Sequence, residues 1–222
     1  MAEHETLPWQ PYPELTDEAR IARARTFLAD MVSRRSCRAF SDQPVPREVI
    51  EAALLAAGSA PSGANRQPWH FCAIETPEAK AAIRVAVEEE ERQFYTNRAP
   101  EAWLSALRPL GTGAEKPYLE VAPWLIAVFA QRYAEDETQP RNYYVTESVS
   151  IATGLLLATL HAAGIATLVH TPHPMRFLNL VCRRPDNEKP LMLIVAGHPA
   201  EDALIPASVV RKKALEEISS WL

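Results

Sequence analysis

The segment RRSCR, residues 34–38, could bind a phosphate group. It places three guanidinium groups and one hydroxyl within five consecutive positions. Planar guanidinium N–H groups match phosphate oxygens in two-point contacts, so Arg34, Arg35, Ser36 and Arg38 are candidate phosphate ligands. The same cations could instead complement the dipole at the end of a solvated helix. The segment alone leaves both interpretations open.

The loop APSGANRQPW, residues 60–69, could lie against a flat ligand. Gly63 has no Cβ, so the backbone there can approach a ligand closely, and the Ser62 hydroxyl can donate a hydrogen bond. Considered alone, an ordinary connection between a helix and a strand is the simpler interpretation. The chain contains no GxGxxG, which argues against a Rossmann-type dinucleotide site.

The segment HTPHP, residues 170–174, follows an apolar stretch that is typical of a strand. The Thr171 hydroxyl at the end of that strand could donate to a ligand in a cleft. His170 and His173 are weak evidence for a metal site, because neither a carboxylate nor a cysteine clusters with them, so we expect no metal. The absence of a GxSxG turn removes support for a Ser–His–Asp hydrolase.

The run VEEEERQFY, residues 87–95, puts four carboxylates in a row before an aromatic pair. On a helix the i, i+4 spacing brings Glu91 onto the same face as Tyr95. Runs of Glu are also common on solvated helix faces, and we expect Glu88–Glu90 to be of that kind. The residues alone favour the solvated interpretation for Glu91 too.

The composition points to a small-molecule partner. A chain of 222 residues can bury a sizeable core, and its net charge of −5 gives no electrostatic reason to bind nucleic acid or an anionic membrane. Cys37, Cys72 and Cys182 are odd in number and widely spaced, so we expect neither a disulfide framework nor a zinc site, and a reducing cytoplasm fits. The acidic, Pro-rich N-terminus and the lack of an apolar run of roughly 18 residues predict a soluble protein without signal peptide or membrane anchor.

Apolar periodicity predicts helices alternating with four short apolar strands, and hence an α+β domain with a covered sheet. We expect an extended arm over residues 1–16, a mobile excursion over 97–117, and a central helix over 146–164 that is apolar on most sides. The predicted helices are 18–36, 47–58, 77–95, 146–164 and 175–182, and the predicted strands are 69–75, 124–132, 165–171 and 191–197.

Taken together, RRSCRAF, APSGANRQPW and the late strand ending in HTP resemble the nitroreductase superfamily of flavin enzymes. Within it, EEEERQFY, Trp103 and EKPYLEVAP resemble the lid of the iodotyrosine deiodinases in order and spacing. The resemblance implies an α+β nitroreductase fold with a mostly antiparallel central sheet and a domain-swapped homodimer. We expect an N-terminal arm and helix over 1–30 and a single domain over 31–222, with a lid at about 88–117.

The resemblance also implies FMN at two sites on the subunit interface. Arg34, Arg35, Ser36 and Arg38, with Cys37 among them, would hold the phosphate. Pro61, Ser62, Gly63 and Asn65 would line the flavin ring, and His170 would lie beside it. Thr171 would hydrogen-bond flavin N5 and so favour one-electron chemistry. Where the family places a phosphate-binding Arg near the C-terminus, this chain has Lys212 preceded by Arg211, and either could supply the cation.

In the deiodinases the lid holds the ammonium and carboxylate of a halogenated tyrosine, and the matching residues here are Glu91, Tyr95 and Lys116. A zwitterion needs one anion and one cation, and a closed lid strengthens both contacts by excluding water. The expected function is therefore reductive dehalogenation of halotyrosines. The alternatives are a general NAD(P)H-dependent nitroreductase or quinone reductase, and a flavin-binding protein without turnover.

Overall fold

A computed structural model of the chain describes residues 5–9, 13–133 and 141–222. The chain divides into two compact units, one ending at Arg34 and the other running from Arg35 to Leu222. In the first unit, Thr16 caps a helix by accepting the Ala19 N–H, and this helix spans Asp17–Ser33. Parts of the expected N-terminal arm, residues 1–4 and 10–12, lie outside the described residues.

The predicted helices and strands are present in the described chain, with bounds close to those expected. The strands are β1 (Trp69–Ile74), β2 (Trp124–Gln131), β3 (Ala166–His170) and β4 (Glu188–Gly197). The helices are α1 (Asp17–Ser33), α2 (Arg47–Gly58), α3 (Pro77–Gln93), α4 (Glu101–Leu107), α5 (Tyr118–Val121), α6 (Val145–Ala162), α7 (Phe177–Val181) and α8 (Leu215–Ile218).

The four strands form one antiparallel sheet in the order β1-β2-β4-β3. The central strand β2 is buried along almost its whole length, because helices cover both of its faces. Its alternate residues divide between two cores: Ile126 and Val128 face α2 and α6, whereas Leu125 and Phe129 face α3 and α7. The strands β1 and β3 form the two edges.

The helix α6 is less enclosed than its sequence predicts. It packs on α2 and buries Val149, Leu156 and Leu160, but Ile151 and Leu155 on its other side are 48% and 37% exposed. By length and composition alone α6 could cross a membrane, which corrects the expectation that no segment reaches that length. A core helix of a globular domain meets the same criterion, so the finding is weak evidence for a membrane span.

The segment expected to be a mobile excursion contains regular structure. A wide helical turn, Phe94–Arg98, continues α3 and is followed by α4 and a 3-10 turn at Arg108–Leu110. The prolines and glycines that suggested a loop instead lie at the ends of these elements, where Pro100 precedes α4 and Gly111 adopts φ +62°. We call residues 88–117 the lid.

Candidate active site

Part of the predicted phosphate-binding segment, Ser36 and Cys37, lies along the edge strand β3. Ser36 forms an isolated parallel bridge with Thr167 of β3, and the Cys37 N–H donates to the Thr167 carbonyl at 3.0 Å. From Thr167 the strand runs about 13 Å to Thr171, at roughly 3.3 Å per residue. Ser36, Cys37 and Arg38 therefore lie along the same edge as the strand end that carries Thr171.

A cavity of about 200 Å³ lies between this strand end and the lid. Its wall includes Arg38, His170 and Thr171 from the sheet edge, and Glu91, Tyr95 and Lys116 from the lid. The structure thus brings together the predicted substrate residues and part of the predicted cofactor set. The remaining lining residues are Glu90, Phe94, Trp103, Leu107, Thr112, Tyr118, Leu168, Val169, Pro172 and His173.

Glu91 and Lys116 form an ion pair in this cavity. The Lys116 Nζ lies 3.2 Å from Glu91 Oε2, and the two side chains are only 5% and 13% exposed, respectively. The ammonium also donates to the Gly113 carbonyl and lies 5.8 Å from the centre of the Tyr95 ring. Water screens these charges little, so a ligand with one cationic and one anionic group could exchange partners with both.

Glu88 holds the lid lysine in place, which corrects the expectation that it is a solvated charge. One carboxylate oxygen accepts the Lys116 backbone N–H at 2.8 Å, and the same oxygen accepts from Arg84 Nε at 2.8 Å. Burial raises the pKa of this carboxyl, but the two hydrogen bonds outweigh burial and lower it overall. The sequence offers the Arg84–Glu88 spacing as a clue; the contact with Lys116 spans 28 residues and is not visible in it.

The other two acids of the run are paired at the surface. Glu89 lies 2.9 Å from Arg92 and is 56% exposed, so it is the solvated charge that the sequence predicts. Glu90 is less exposed, at 27%, and pairs with Arg98 at 2.7 Å. That contact ties the turn after α3 back to the helix.

Aromatic rings form the outer wall of the cavity. The Phe94 ring meets the rings of Tyr95 and Trp103 edge-on, with centroids 5.3 Å and 5.0 Å apart. The Tyr95 hydroxyl shares a 2.9 Å hydrogen bond with the Thr112 hydroxyl across the lid. These contacts connect the two halves of the lid and present flat apolar surface suited to an aromatic ligand.

His170 is held neutral next to the ion pair. Burial, with additional repulsion from Lys116 and Arg38, lowers the pKa of its imidazole to about 3. Its Nε2 lies 3.7 Å from Glu91 Oε1, too far for a hydrogen bond, so we do not treat the two as an ion pair. This buried nitrogen has no hydrogen-bond partner among the described residues, which leaves a polar atom available to a ligand in the cavity.

The residues at this edge fit FMN. Arg38 and Ser36 could hold its phosphate, the exposed Thr171 hydroxyl could donate to the ring, and the unpaired His170 Nε2 could accept or donate beside it. When bound, FMN supplies the redox chemistry that the side chains of this cavity lack.

The loop expected to line the flavin ring lies at the other edge of the sheet. Residues 61–65 lead into β1 and are not among the described residues that line the cavity. Gly63 is closely packed by the chain itself, since a Cβ there would lie 3.1 Å from the Tyr143 carbonyl oxygen. Ala64 and Asn65 adopt φ near +50°, a strained conformation that sequence patterns did not reveal and that concentrates at binding sites.

The remaining predicted phosphate ligands are not among the described residues that line the cavity. Arg34 ends α1 in the first unit, where its backbone N–H donates to the Met31 carbonyl. Arg211 and Lys212 are exposed in the tail before α8 and do not belong to the described lining of the cavity.

A larger cavity, of about 330 Å³, lies beyond His173. Its charged lining includes Arg132, Arg176 and Lys189 opposite Asp186 and Glu188. We assign the predicted function to the smaller cavity because Glu91, Lys116 and Thr171 all face it.

Comparison with known proteins agrees with this site. The nitroreductase family matches residues 31–198. An iodotyrosine deiodinase from Haliscomenobacter hydrossis is 46% identical over 89% of this chain and 90% of its own length, and one from Nematostella vectensis is 40% identical over 96% and 81%. A crystal structure of oxidized iodotyrosine deiodinase bound to FMN and 3-iodo-L-tyrosine superimposes with a TM-score of 0.73 at 28% identity, covering 88% of this chain and all of that one. The chain therefore belongs to the nitroreductase family, among its iodotyrosine deiodinases.

Proposed function

We propose that this protein is an FMN-dependent oxidoreductase that removes halogen from halogenated tyrosine. The observation that carries the proposal is the Glu91–Lys116 pair, two largely buried opposite charges 3.2 Å apart in a cavity that Thr171 also lines. The similar crystal structure, described as bound to FMN and 3-iodo-L-tyrosine, supports the same cofactor and substrate here.

Each lid residue has a role in holding the substrate. Glu91 accepts a hydrogen bond from the substrate ammonium and Lys116 donates one to the substrate carboxylate, so the amino acid replaces the contact between Glu91 and Lys116. Phe94 and Trp103 exclude water from the ring, and the Thr171 hydroxyl donates to the flavin. Replacement of a carbon–halogen bond by a carbon–hydrogen bond consumes two electrons and one proton and releases halide, with the electrons supplied through FMN.

A homodimer would complete the cofactor site. Thr171 follows β3 at one edge of the sheet and residues 61–65 precede β1 at the other, so three strand spacings, about 14 Å, separate them in one chain. A second copy that brings its own loop to the Thr171 edge would let one flavin contact both. The exposed Ile151 and Leu155 on α6 supply apolar surface for such an interface.

The shared site can be tested by mixing inactive variants. We expect Thr171→Ala and Gly63→Asp chains to be inactive as separate homodimers. A mixed dimer would contain one site in which both replaced positions meet and one site that is intact, and it would recover activity. If each site is built from one chain, mixing restores nothing. Sedimentation equilibrium of the wild type gives the oligomeric state independently.

The function is tested by iodide release from 3-iodotyrosine under anaerobic dithionite reduction of the FMN-loaded protein. We expect release that is lost on Glu91→Gln and on Lys116→Ala. Glu89→Gln, an exposed acid on the same helix, is the matched control and should keep full activity. Release that is unaffected by the Glu91 and Lys116 substitutions would contradict the assignment of the lid.

We also propose that NAD(P)H reduces the flavin by visiting the face that the substrate later occupies. The support is that the sequence lacks GxGxxG, the motif of a dedicated dinucleotide site. Stopped-flow bleaching of FMN by NADPH and NADH tests this donor, and competition by 3-iodotyrosine tests the shared face. Rapid NADPH oxidation with nitroaromatics and no iodide release would favour the general nitroreductase.

A further inference from the structure

His170 presents an unpaired polar atom to the cavity between the sheet edge and the lid. It is the last residue of β3, where it pairs with the buried Leu193 of β4, so the sheet fixes its backbone position. Its side chain is only 11% exposed, and within the part of the chain that the structure describes its Nε2 is buried without a hydrogen-bond partner. Buried polar atoms in folded proteins almost always have a partner, so this atom points to a group that binds in the cavity.

The imidazole is oriented by an aromatic neighbour and faces a carboxylate. The Tyr118 ring meets the His170 ring edge-on, with centroids 6.3 Å apart. On the cavity side, Nε2 lies 3.7 Å from Glu91 Oε1, which leaves a gap too wide for a direct hydrogen bond. Burial lowers the pKa of the imidazole to about 3, so the ring is neutral at physiological pH and one of its nitrogens is an acceptor.

The two carboxylate oxygens of Glu91 have different neighbours. Oε2 lies 3.2 Å from Lys116 Nζ, whereas Oε1 is the oxygen nearest His170 Nε2. A substrate that separates the ion pair places its own carboxylate at Lys116. Glu91 Oε1 and His170 Nε2 then remain as two acceptors that face one space.

We propose that His170 is a further substrate-binding residue, whose Nε2 accepts a hydrogen bond from the same ammonium group that Glu91 binds. The inference rests on the proposed function, because it assigns another residue to the same substrate. With both hydrogen bonds at about 2.8 Å, acceptors 3.7 Å apart subtend about 83° at the nitrogen, so two tetrahedral N–H groups reach them with N–H···acceptor angles of about 160°. One ammonium can therefore bridge the gap between the two side chains.

This contact makes His170 a determinant of specificity for the amino group. A site that hydrogen-bonds a polar group rejects an analogue without that group, because the buried atom of the site is then left unpaired. A second carboxylate beside Glu91 would be repelled, so the position favours an amine over an acid. His170 thus selects amino acids and amines among aromatic ligands.

Three ligands separate the two charged groups of the substrate. 3-Iodotyrosine carries both groups, 3-iodotyramine carries the ammonium alone, and 3-(4-hydroxy-3-iodophenyl)propanoate carries the carboxylate alone. Quenching of flavin fluorescence gives the Kd of each ligand for the oxidised, FMN-loaded protein without turnover.

Two amide variants test the position of the acceptor. The Oε1 atom of a glutamine lies as many bonds from Cα as the Nε2 atom of a histidine, whereas the Oδ1 atom of an asparagine lies one bond closer. We expect His170→Asn to weaken binding of 3-iodotyrosine and 3-iodotyramine about 10-fold, because a hydrogen bond to a charged group is lost. His170→Gln should bring both ligands back to within about 3-fold of wild type, and the propanoate should stay within about 2-fold in both variants.

The pattern across the three ligands decides the assignment. Equal losses for all three in His170→Asn, together with a lower FMN content, would overturn the proposal and make His170 a flavin contact. Losses confined to 3-iodotyrosine and the propanoate would assign Nε2 to the carboxylate and overturn it as well. If the wild type binds none of the three ligands, the halotyrosine function itself fails, whereas wild-type binding that neither variant changes refutes this inference alone.

A measurement on the wild-type protein covers the case in which neither variant folds. With 15N-labelled histidine, a hydrogen bond from the ammonium should shift the NMR resonance of an unprotonated ring nitrogen when 3-iodotyramine is added. The propanoate should leave that resonance in place. Ring nitrogens that do not respond to 3-iodotyramine would overturn the proposal.

Discussion

Replacing Glu91 by Gln removes the anionic partner of Lys116 while keeping the size of the side chain. At 3.2 Å and an effective dielectric constant of 20, the direct attraction is about 5 kcal/mol, most of which offsets the desolvation of two side chains that are 5% and 13% exposed. Loss of one partner leaves the other charge buried and without its counter-ion. We therefore expect Glu91→Gln and Lys116→Met each to lower the free energy of unfolding by about 3 kcal/mol.

The double variant separates the pair from other effects. Because it leaves no unpaired buried charge, it should lose about 2 kcal/mol less than the sum of the two single losses. Urea unfolding of the four proteins measures this coupling. Coupling below about 0.5 kcal/mol would refute the ion pair as an energetic unit.

Ligand binding tests whether the same pair receives the zwitterion. Each single substitution should weaken 3-iodotyrosine binding by about 2 kcal/mol, roughly 30-fold in Kd; we take the low end of the usual range because substrate must first separate the pair. Binding of 2-iodophenol, which lacks the amino-acid group, should stay within about 2-fold of wild type. Equal losses for both ligands would mean that the substitutions open the lid rather than remove specific contacts.

Four further substitutions, one of them a control, test other parts of the structure. Tyr95→Phe removes the hydroxyl that is hydrogen-bonded to Thr112. It should weaken 3-iodotyrosine binding about 5-fold, since a neutral hydrogen bond contributes about 1 kcal/mol. Flavin fluorescence measures the Kd, and an unchanged Kd would show that this hydrogen bond does not hold the lid. Gly197→Ala places a Cβ 2.6 Å from Pro123 Cδ and should lower stability to urea by about 2 kcal/mol, whereas Gly58→Ala in open helical space should stabilise the protein slightly. Burial raises the pKa of Glu188, but hydrogen bonds from Arg184 and Gln131 lower it overall, so its stabilisation is present above pH 4.5 and is lost as pH falls through the lowered value. Glu188→Gln should make the fall in the free energy of unfolding between pH 6 and 3, measured by urea unfolding, less steep. An equally steep fall in the variant would assign the pH dependence to other groups.

Local sequence patterns were sufficient to predict the type and position of most helices and strands. The apolar run of β2 and the spaced apolar residues of α2 predict their type because each pattern reflects burial of one element against the core. The structure of the lid was harder to predict, since Pro100 and Gly111 suggested a loop although they lie at the ends of helical turns. A breaker residue indicates that an element ends, and its neighbours can still form another one.

The sequence was sufficient to predict the residue types of the site, because each depends on a local pattern. These patterns are the basic RRSCR segment, a Thr at a strand end and a Glu–Tyr spacing on a helix. Long-range contacts are not: Glu88 and Lys116 are 28 residues apart, and their hydrogen bond exists only because α3 and the end of the lid pack together. The separation of Thr171 from residues 61–65 follows from strand order, which no local pattern encodes. Periodicity reports which face of an element is buried, whereas the packing of the sheet and its helices sets which buried faces meet.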